Sequence, residues 1–428
     1  MIEPAVRAGL FGVAISAGPL MVLGHGLLSL GAIFTGVVLV VPVIVLAALA
    51  TWGEFRPNVC DGLFAAFVSA VALSHVLNSA GDVKESALLL MTLALYVAGR
   101  VTSGCEARAG VVVVGGAVIA AGVTATAIAL VGQWSAPHGK PLVFGEFDAA
   151  PVQFAALFGL AVIAVVTSGR LDRPGMAAFN LLVALSAAVF AASMVRFSLL
   201  AAVLAASIGI LFSGREERRR GILVVGAMVI GIVAGLVVRW DMASIYATHA
   251  LTAAHAPPVP SGAPVLLQAA DLCPKIDIDN SIEIRKQLLF EALRLLPKAG
   301  LFGIGPGGFS ARSCLPGHEV HNTILQVFVE FGWVAGVLLL ALLAAAWSSV
   351  SGLARIMADY RFAACALAFV MLLSLVHGRI SRDVLLMLMI GLTGHLRQAR
   401  AGNAEKWMLG ENIGPSVESS ATLPGPPR

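Results

Sequence analysis

Hydropathy along the chain is a succession of apolar runs broken by short polar joints. A membrane-spanning helix needs about 20 predominantly apolar residues. Runs near that length lie at 8–27, 29–50, 60–79, 85–101, 109–133, 150–169, 175–194, 197–213, 221–240, 322–348, 360–377 and 382–397. The first two are separated only by the region of Gly24-His25-Gly26, and the seventh and eighth only by Met194-Val195-Arg196-Phe197. This pattern predicts an all-α polytopic membrane protein with about twelve transmembrane helices. Helices 1–9 occupy residues 1–240, a long polar loop 241–321, helices 10–12 residues 322–397, and a disordered, proline-containing tail 398–428.

The long loop has two halves. Pro257, Pro258, Pro260 and Pro264 predict irregular structure over 241–278. Asn280-Ser-Ile-Glu283 has the form of a capping box and opens an amphipathic helix over 281–296. Ile284, Leu288, Leu289, Leu293 and Leu296 form its apolar side, while Arg285, Lys286, Glu291 and Arg294 are polar. Pro297 and the glycines beyond it end the helix. Such a helix suits a membrane surface.

Composition strengthens the membrane assignment. The chain is 58% hydrophobic and 12% charged, where soluble domains carry about 25% charge. The formal net charge of +4 is no signature of nucleic-acid binding, because in a membrane protein the placement of Lys and Arg matters more than their sum. Arg7 precedes an apolar run with no clear small-residue cleavage site, so the first run reads as a retained span. With a cytoplasmic N-terminus, Arg56, Arg100, Arg108, Arg170, Arg173, Arg215, Arg218, Arg219, Arg220, Arg355 and Arg361 all fall inside. The short outer joints then carry only Lys84, Lys140, Arg196, Arg379 and Arg382, and residues 241–320 lie outside. Cys60, Cys105 and Cys365 fall at inner helix ends, and Cys273 and Cys314 fall in the outer loop. Reduced thiols inside and a pair outside match a bacterial inner membrane facing an oxidising periplasm, and predict a Cys273–Cys314 disulfide.

The candidate chemistry gathers at that outer face. His321 stands at the start of the tenth run, where the positive end of a helix dipole favours neutral imidazole able to accept a proton. Arg196 opposes the charge rule at a tight outer turn, which points to pairing or function. Arg285 lies in the amphipathic helix; its alternative is a solvated face, but a guanidinium fork suits a diphosphate. Arg379, Arg382 and Asp383 share the last outer turn, where Arg382–Asp383 is a candidate structural pair, and Arg239 reads as an anchor. Gly303-Ile-Gly-Pro-Gly-Gly308 is no Walker A loop, since no Lys-Ser/Thr follows; it is either a flexible turn or a close backbone approach to phosphate or sugar. His318 and His321 offer two imidazoles without a clear third ligand, so no metal is expected.

Arg285, Gly303-Ile-Gly-Pro-Gly307, and His321-Asn322 followed after Thr323 to Phe331 by Gly332 together resemble a known pattern. It is that of the bacterial O-antigen ligase and polysaccharide polymerase superfamily, which includes O-linked oligosaccharyltransferases. The chain departs from it at Ala335, with a glycine one residue later, and at Val195, where the family often has Ser before Arg. The resemblance implies a fold of the glycosyltransferase C type and a glycan donor carried on undecaprenyl diphosphate. Neither metal, cofactor nor nucleotide sugar is implied. His321 and Arg285 would be catalytic, and Arg196, Gly303, Gly305, Asn322 and Arg382 would contact substrate. Partners would be the lipid-linked glycan, an acceptor glycolipid or glycan and membrane lipids, with no nucleic acid; the location would be the bacterial inner membrane, with the site facing the periplasm. Transfer to lipid A core, as in lipopolysaccharide biosynthesis, is the preferred activity, and joining of lipid-linked repeats by a polymerase is the alternative. A lipid-glycan transporter would need polar sites at the membrane midplane, whereas the candidates lie at the outer surface.

Overall fold

The computed structural model of the chain describes residues 2–50, 52, 55–78, 83–135, 140–168, 173–255, 281–315 and 317–408. It is all-helical. In chain order the helices are α1 Ile2–Ile15, α2 Ala17–Leu28, α3 Ala32–Ala48, α4 Val59–Asn78, α5 Val83–Arg100, α6 Gly104–Gly110, α7 Gly116–Gly132, α8 Ala150–Ser168 and α9 Arg173–Ala192. They continue as α10 Phe197–Phe212, α11 Arg215–Val238, α12 Trp240–His255, α13 Ser281–Leu295, α14 Thr323–Gln326, α15 Gly332–Ser351, α16 Ala358–Val376 and α17 Val384–Met408. Short π-helical turns, Val111–Gly115 and Val327–Phe331, interrupt the fifth and tenth apolar runs.

Among the described residues, seven helices are long and apolar enough to cross a membrane. An eighth results if α1 and α2, bent by 72° at Ser16, form one span. Helices α3 and α10 are apolar but shorter. Every apolar run thus corresponds to a helix, while the set that meets the requirements of a span is smaller than twelve.

Small residues let these helices approach closely. A Cβ on Gly231 of α11 would lie 2.2 Å from the Ala184 carbonyl of α9, and one on Gly235 would lie 2.2 Å from the Ala188 carbonyl. Four-residue spacing on both helices gives one continuous seam, the arrangement by which helices associate where water supplies no driving force. Phe154, Phe190, Phe362 and Phe369 fill the interior between α8, α9 and α16, all fully buried.

Four arginines near helix ends are neutralised within the protein. Arg100 pairs with Asp61 at 2.9 Å, Arg7 with Glu106 at 3.0 Å and Arg361 with Glu217 at 2.9 Å, and Arg108 pairs with Asp359. Cys60, Cys105 and Cys365 are free thiols.

Three elements differ from the pattern-based expectation. The segment after residue 240 continues as α12 to His255, because Met242 to Ala254 is rich in Ala and free of Pro and Gly. In α13 the buried stripe is Leu288, Ala292 and Leu295, with Ile284 partly buried, whereas Leu289, Phe290 and Leu293 are exposed. The 3.6-residue period of these positions divides the apolar residues between two faces: one packs on Phe309, Leu315, Val320, Leu325 and Val329, and the other is left open. Finally, α17 runs past residue 397 to Met408. Asn280, Cys273 and residues 409–428 lie outside the described residues.

Helix α11 is long and apolar enough to cross a membrane, with Arg219 in its first turns and Lys298 beyond its far end in the chain. Reporter domains fused after Arg219 and after Lys298 are expected to show opposite locations; the same location for both would contradict this arrangement.

Candidate anion site at one membrane face

The turn between α9 and α10 fixes Arg196. Helix α9 ends on Met194 in the left-handed conformation (φ 60°), and the Val195 N–H donates back to the Phe190 carbonyl at 3.0 Å. This is a Schellman-type ending, so the joint is rigid although it is only a few residues long. The Arg196 guanidinium lies over the Tyr246 ring of α12, 4.3 Å from its centroid. Its Nε is buried without a hydrogen-bond partner.

Arg285 comes from α13 and sits over Phe197, the first residue of α10, at 5.4 Å from the ring centroid. Its Nη2 lies 3.4 Å from Nδ1 of His377, at the C-terminal end of α16. Neither Arg196 nor Arg285 has a carboxylate within ion-pair distance among the described residues. Burial lowers the affinity of both groups for their protons, and at Arg285 the neighbouring Arg196 adds to the effect. Lys140, in the joint before α8, belongs to the same group. Its proton affinity is lowered by burial and then by Arg285, with Arg196 contributing, and only Asp148 acts in the opposite sense.

His321 is half-buried beside these cations, outside the spans, and makes no hydrogen bond among the described residues. Burial lowers its pKa to about 4, and Arg285, His318 and Lys140 push in the same direction. His377 is lowered to about 3 by burial, with Arg285, His321 and Lys140 adding to it. Both imidazoles are therefore neutral at pH 7. Three under-compensated cations and two neutral imidazoles meet at one place, a grouping whose charge suits an anion.

The other candidates make contacts within the protein. Asn322 caps α14, accepting from the Leu325 N–H at 2.9 Å, and its Nδ2 donates to the Leu375 carbonyl at 3.2 Å. Thr323 Oγ1 and Ser374 Oγ both donate to Asp383, at 2.7 and 2.6 Å. Asp383 therefore ties the starts and ends of helices around His321, while Arg382 turns to Glu85 at 2.8 Å. Arg379 bridges Glu85 and Glu319 at 3.1 and 3.0 Å. Arg239 is buried against Trp134, 5.0 Å from the ring, with Asp241 at 3.7 Å. His318 and His321 gain no third metal-ligating side chain among the described residues. Cys314 is disulfide-bonded, and Cys273, its expected partner, lies outside the described residues.

The glycine run approaches backbone closely, but the backbone is the protein's own. After the π-turn Val327–Phe331, Gly332 takes φ 88° and interrupts the helix. The Val329 and Glu330 carbonyls accept from the Ile304 and Gly305 N–H groups at 3.1 and 2.9 Å. In return, the Trp333 and Val334 N–H groups donate to the Gly300 and Leu301 carbonyls at 3.1 and 3.2 Å. A helix break at membrane depth is tolerated only if its polar groups are satisfied, and residues 300–305 satisfy them. Glu330 is buried, and its carboxylate meets the Phe309 N–H at 3.4 Å and Gln326 Nε2 at 2.9 Å. The turn thus fixes the helix that follows His321.

Sequence reasoning passed over His377 and undervalued Lys140. His377 carries a local signal, a histidine followed by glycine just beyond an apolar helix, but its proximity to Arg285 spans 92 residues and is invisible in one dimension. No protein-family model matches the chain, and no curated protein matches it.

Two outcomes follow from this geometry. Gly303 has φ +74°, and a Cβ there would lie 2.1 Å from the Glu330 carbonyl oxygen, whereas at Gly307 (φ +71°) nothing lies within 4 Å. Gly303→Ala is expected to cost about 3 kcal/mol or more and Gly307→Ala about 1 kcal/mol, measured by unfolding in detergent; equal losses would contradict the helix-break role. As pH falls below about 6.5, the unfolded chain takes up protons that folded His321 and His377 do not, so stability declines toward their folded values near 4 and 3. Thermal melts from pH 7 to 4 are expected to fall less steeply in His321→Asn and His377→Asn than in the parent protein.

Proposed function

We propose that the protein is an O-antigen ligase-like glycosyltransferase. It moves a glycan from undecaprenyl diphosphate to an acceptor hydroxyl, on lipid A core or a similar glycolipid, at the periplasmic face of a bacterial inner membrane. The single observation that carries this reading is the meeting of Arg196, Arg285 and Lys140 with neutral His321, while the inner-end arginines Arg7, Arg100, Arg108 and Arg361 have carboxylate partners. Uncompensated arginines at a membrane face call for an anion, and planar forks suit a diphosphate. The twelve-span count and the glycosyltransferase C type of fold belong to the same proposal.

A groove of about 800 Å³ between α2 and α7 supports a lipid-borne donor. Leu23, Leu27, Ala125 and Ile128 line it, and it reaches Gln133 and Leu142. The Gln133 side chain pairs with both backbone polar groups of Leu142 at 2.8 Å, which fixes the groove mouth two residues from Lys140. An isoprenoid tail suits such an apolar groove, and Lys140, two residues from Leu142 at its mouth, would draw the diphosphate toward the cations.

In the transfer, the acceptor oxygen bonds to the anomeric carbon and the bond from that carbon to the diphosphate oxygen breaks. His321 takes the hydroxyl proton. The departing diphosphate keeps the bonding electron pair, and Arg285 and Arg196 stabilise its charge. The orphan Nε of Arg196 and the sparse partners of Arg285 leave donors for this role.

Transfer by purified protein in detergent, with chelator present and donor affinity measured separately, tests this. His321→Ala is expected to lower the transfer rate by about 10²–10⁴-fold and leave donor binding largely intact. Arg285→Ala is expected to weaken donor binding, with Arg285→Lys restoring it only in part. Full activity of His321→Ala, or activity abolished by chelator and restored by metal, would refute the mechanism.

A further inference from the structure

His377 belongs to none of the roles above, yet it makes the only side-chain hydrogen bond to Arg285 among the described residues. Arginine has no acceptor atom, so the 3.4 Å contact from Arg285 Nη2 requires His377 Nδ1 to accept. The His377 proton therefore sits on Nε2. The ring also meets Phe197 edge-on, with centroids 5.8 Å apart at 74°, and Phe197 is the ring beneath the Arg285 guanidinium. Arg285 is thus held on two sides, by a face and by an acceptor.

His377 is itself tightly placed. Its backbone N–H donates to the Leu373 carbonyl at 2.8 Å. The next residue, Gly378, packs so closely that a Cβ there would lie 2.0 Å from Thr323 Oγ1, two residues beyond His321. Asn322 Nδ2 reaches the Leu375 carbonyl at 3.2 Å. The backbone carrying His377 and the helix start carrying His321 therefore form one rigid unit.

Resting on the anion-site reading, we propose that His377 is a positioning residue: by accepting from Arg285 it fixes the guanidinium fork relative to His321 for a lipid diphosphate. This hold requires neutral imidazole, since a protonated Nδ1 would face the guanidinium with a like charge. The charged or titratable groups around His377 are Arg285 from α13, His321 before α14 and Lys140 from the joint before α8, and all of them favour the neutral ring. Phe197 of α10 contributes a neutral ring edge.

The test measures binding of farnesyl diphosphate to the full-length protein in detergent at pH 7.5 by calorimetry. His377→Phe keeps a ring and removes the acceptor, and is expected to weaken binding about tenfold. His377→Asn places an amide oxygen near the Nδ1 position and is expected to bind within about threefold of the parent. In an Arg285→Lys background, which lacks the fork, His377→Phe is expected to add less than about twofold, because the two residues act as a pair. A merely structural role would give equal losses in Phe and Asn variants, and would persist in the Arg285→Lys background. Either result, or parent-like binding by His377→Phe, would overturn the inference alone. Failure of the parent protein to bind farnesyl diphosphate would instead overturn the anion-site reading beneath it.

Discussion

The uncompensated partial burial of Arg196 and Arg285 is the constraint on which the rest of the site depends. Removing a guanidinium from water without a counter-charge is costly, and proteins usually avoid it by pairing. This protein does pair Arg100 with Asp61 and Arg361 with Glu217 at the opposite helix ends. At the site it uses weaker partners: the faces of Tyr246 and Phe197, and one imidazole nitrogen. Aromatic faces stabilise a cation without consuming its charge. The arrangement leaves the two forks able to meet an incoming anion, whose charge would offset the cost of their partial desolvation.

Holding several like charges together demands a rigid frame. The left-handed ending of α9 at Met194 supplies it for Arg196. The small core of Leu288, Ala292, Leu295, Phe309 and Val329 supplies it for Arg285, by fixing α13 to the helix that follows His321. That helix is interrupted at Gly332, and the backbone of residues 300–305 is hydrogen-bonded into the interruption. Asp383 gathers Thr323 and Ser374 on the other side of the site. The same contacts that make a broken helix tolerable also set the positions of His321 and His377.

Much of this was legible in one dimension, for identifiable reasons. Apolar run length marks helices, and each run is helical, the first as the bent pair α1 and α2. Arg196 stood out because it violated the charge asymmetry of the joints, and His321 because it opens a helix; the fold brings both close to Arg285. The glycine run announced close approach, but sequence alone does not say to what, and the partner is the backbone at Val329 and Glu330. The contact of Arg382 with Glu85, 297 residues away, was likewise invisible in one dimension. His377 was missed for the same reason, because its meaning lies in a contact with α13. The α13 stripe was misjudged because Leu289 and Leu293 lie one position away from the buried Leu288 and Ala292, on the open face.

The central claim is that these cations exist to hold a lipid diphosphate beside His321. An experimental structure of the protein with an isoprenyl diphosphate in a lipid nanodisc addresses it most directly. The account predicts phosphate oxygens within hydrogen-bonding distance of Arg196 and Arg285, the isoprenoid chain in the groove between α2 and α7, and His321 facing the terminal phosphate. A diphosphate bound away from both arginines, with Arg196 and Arg285 unchanged and unliganded, would contradict it.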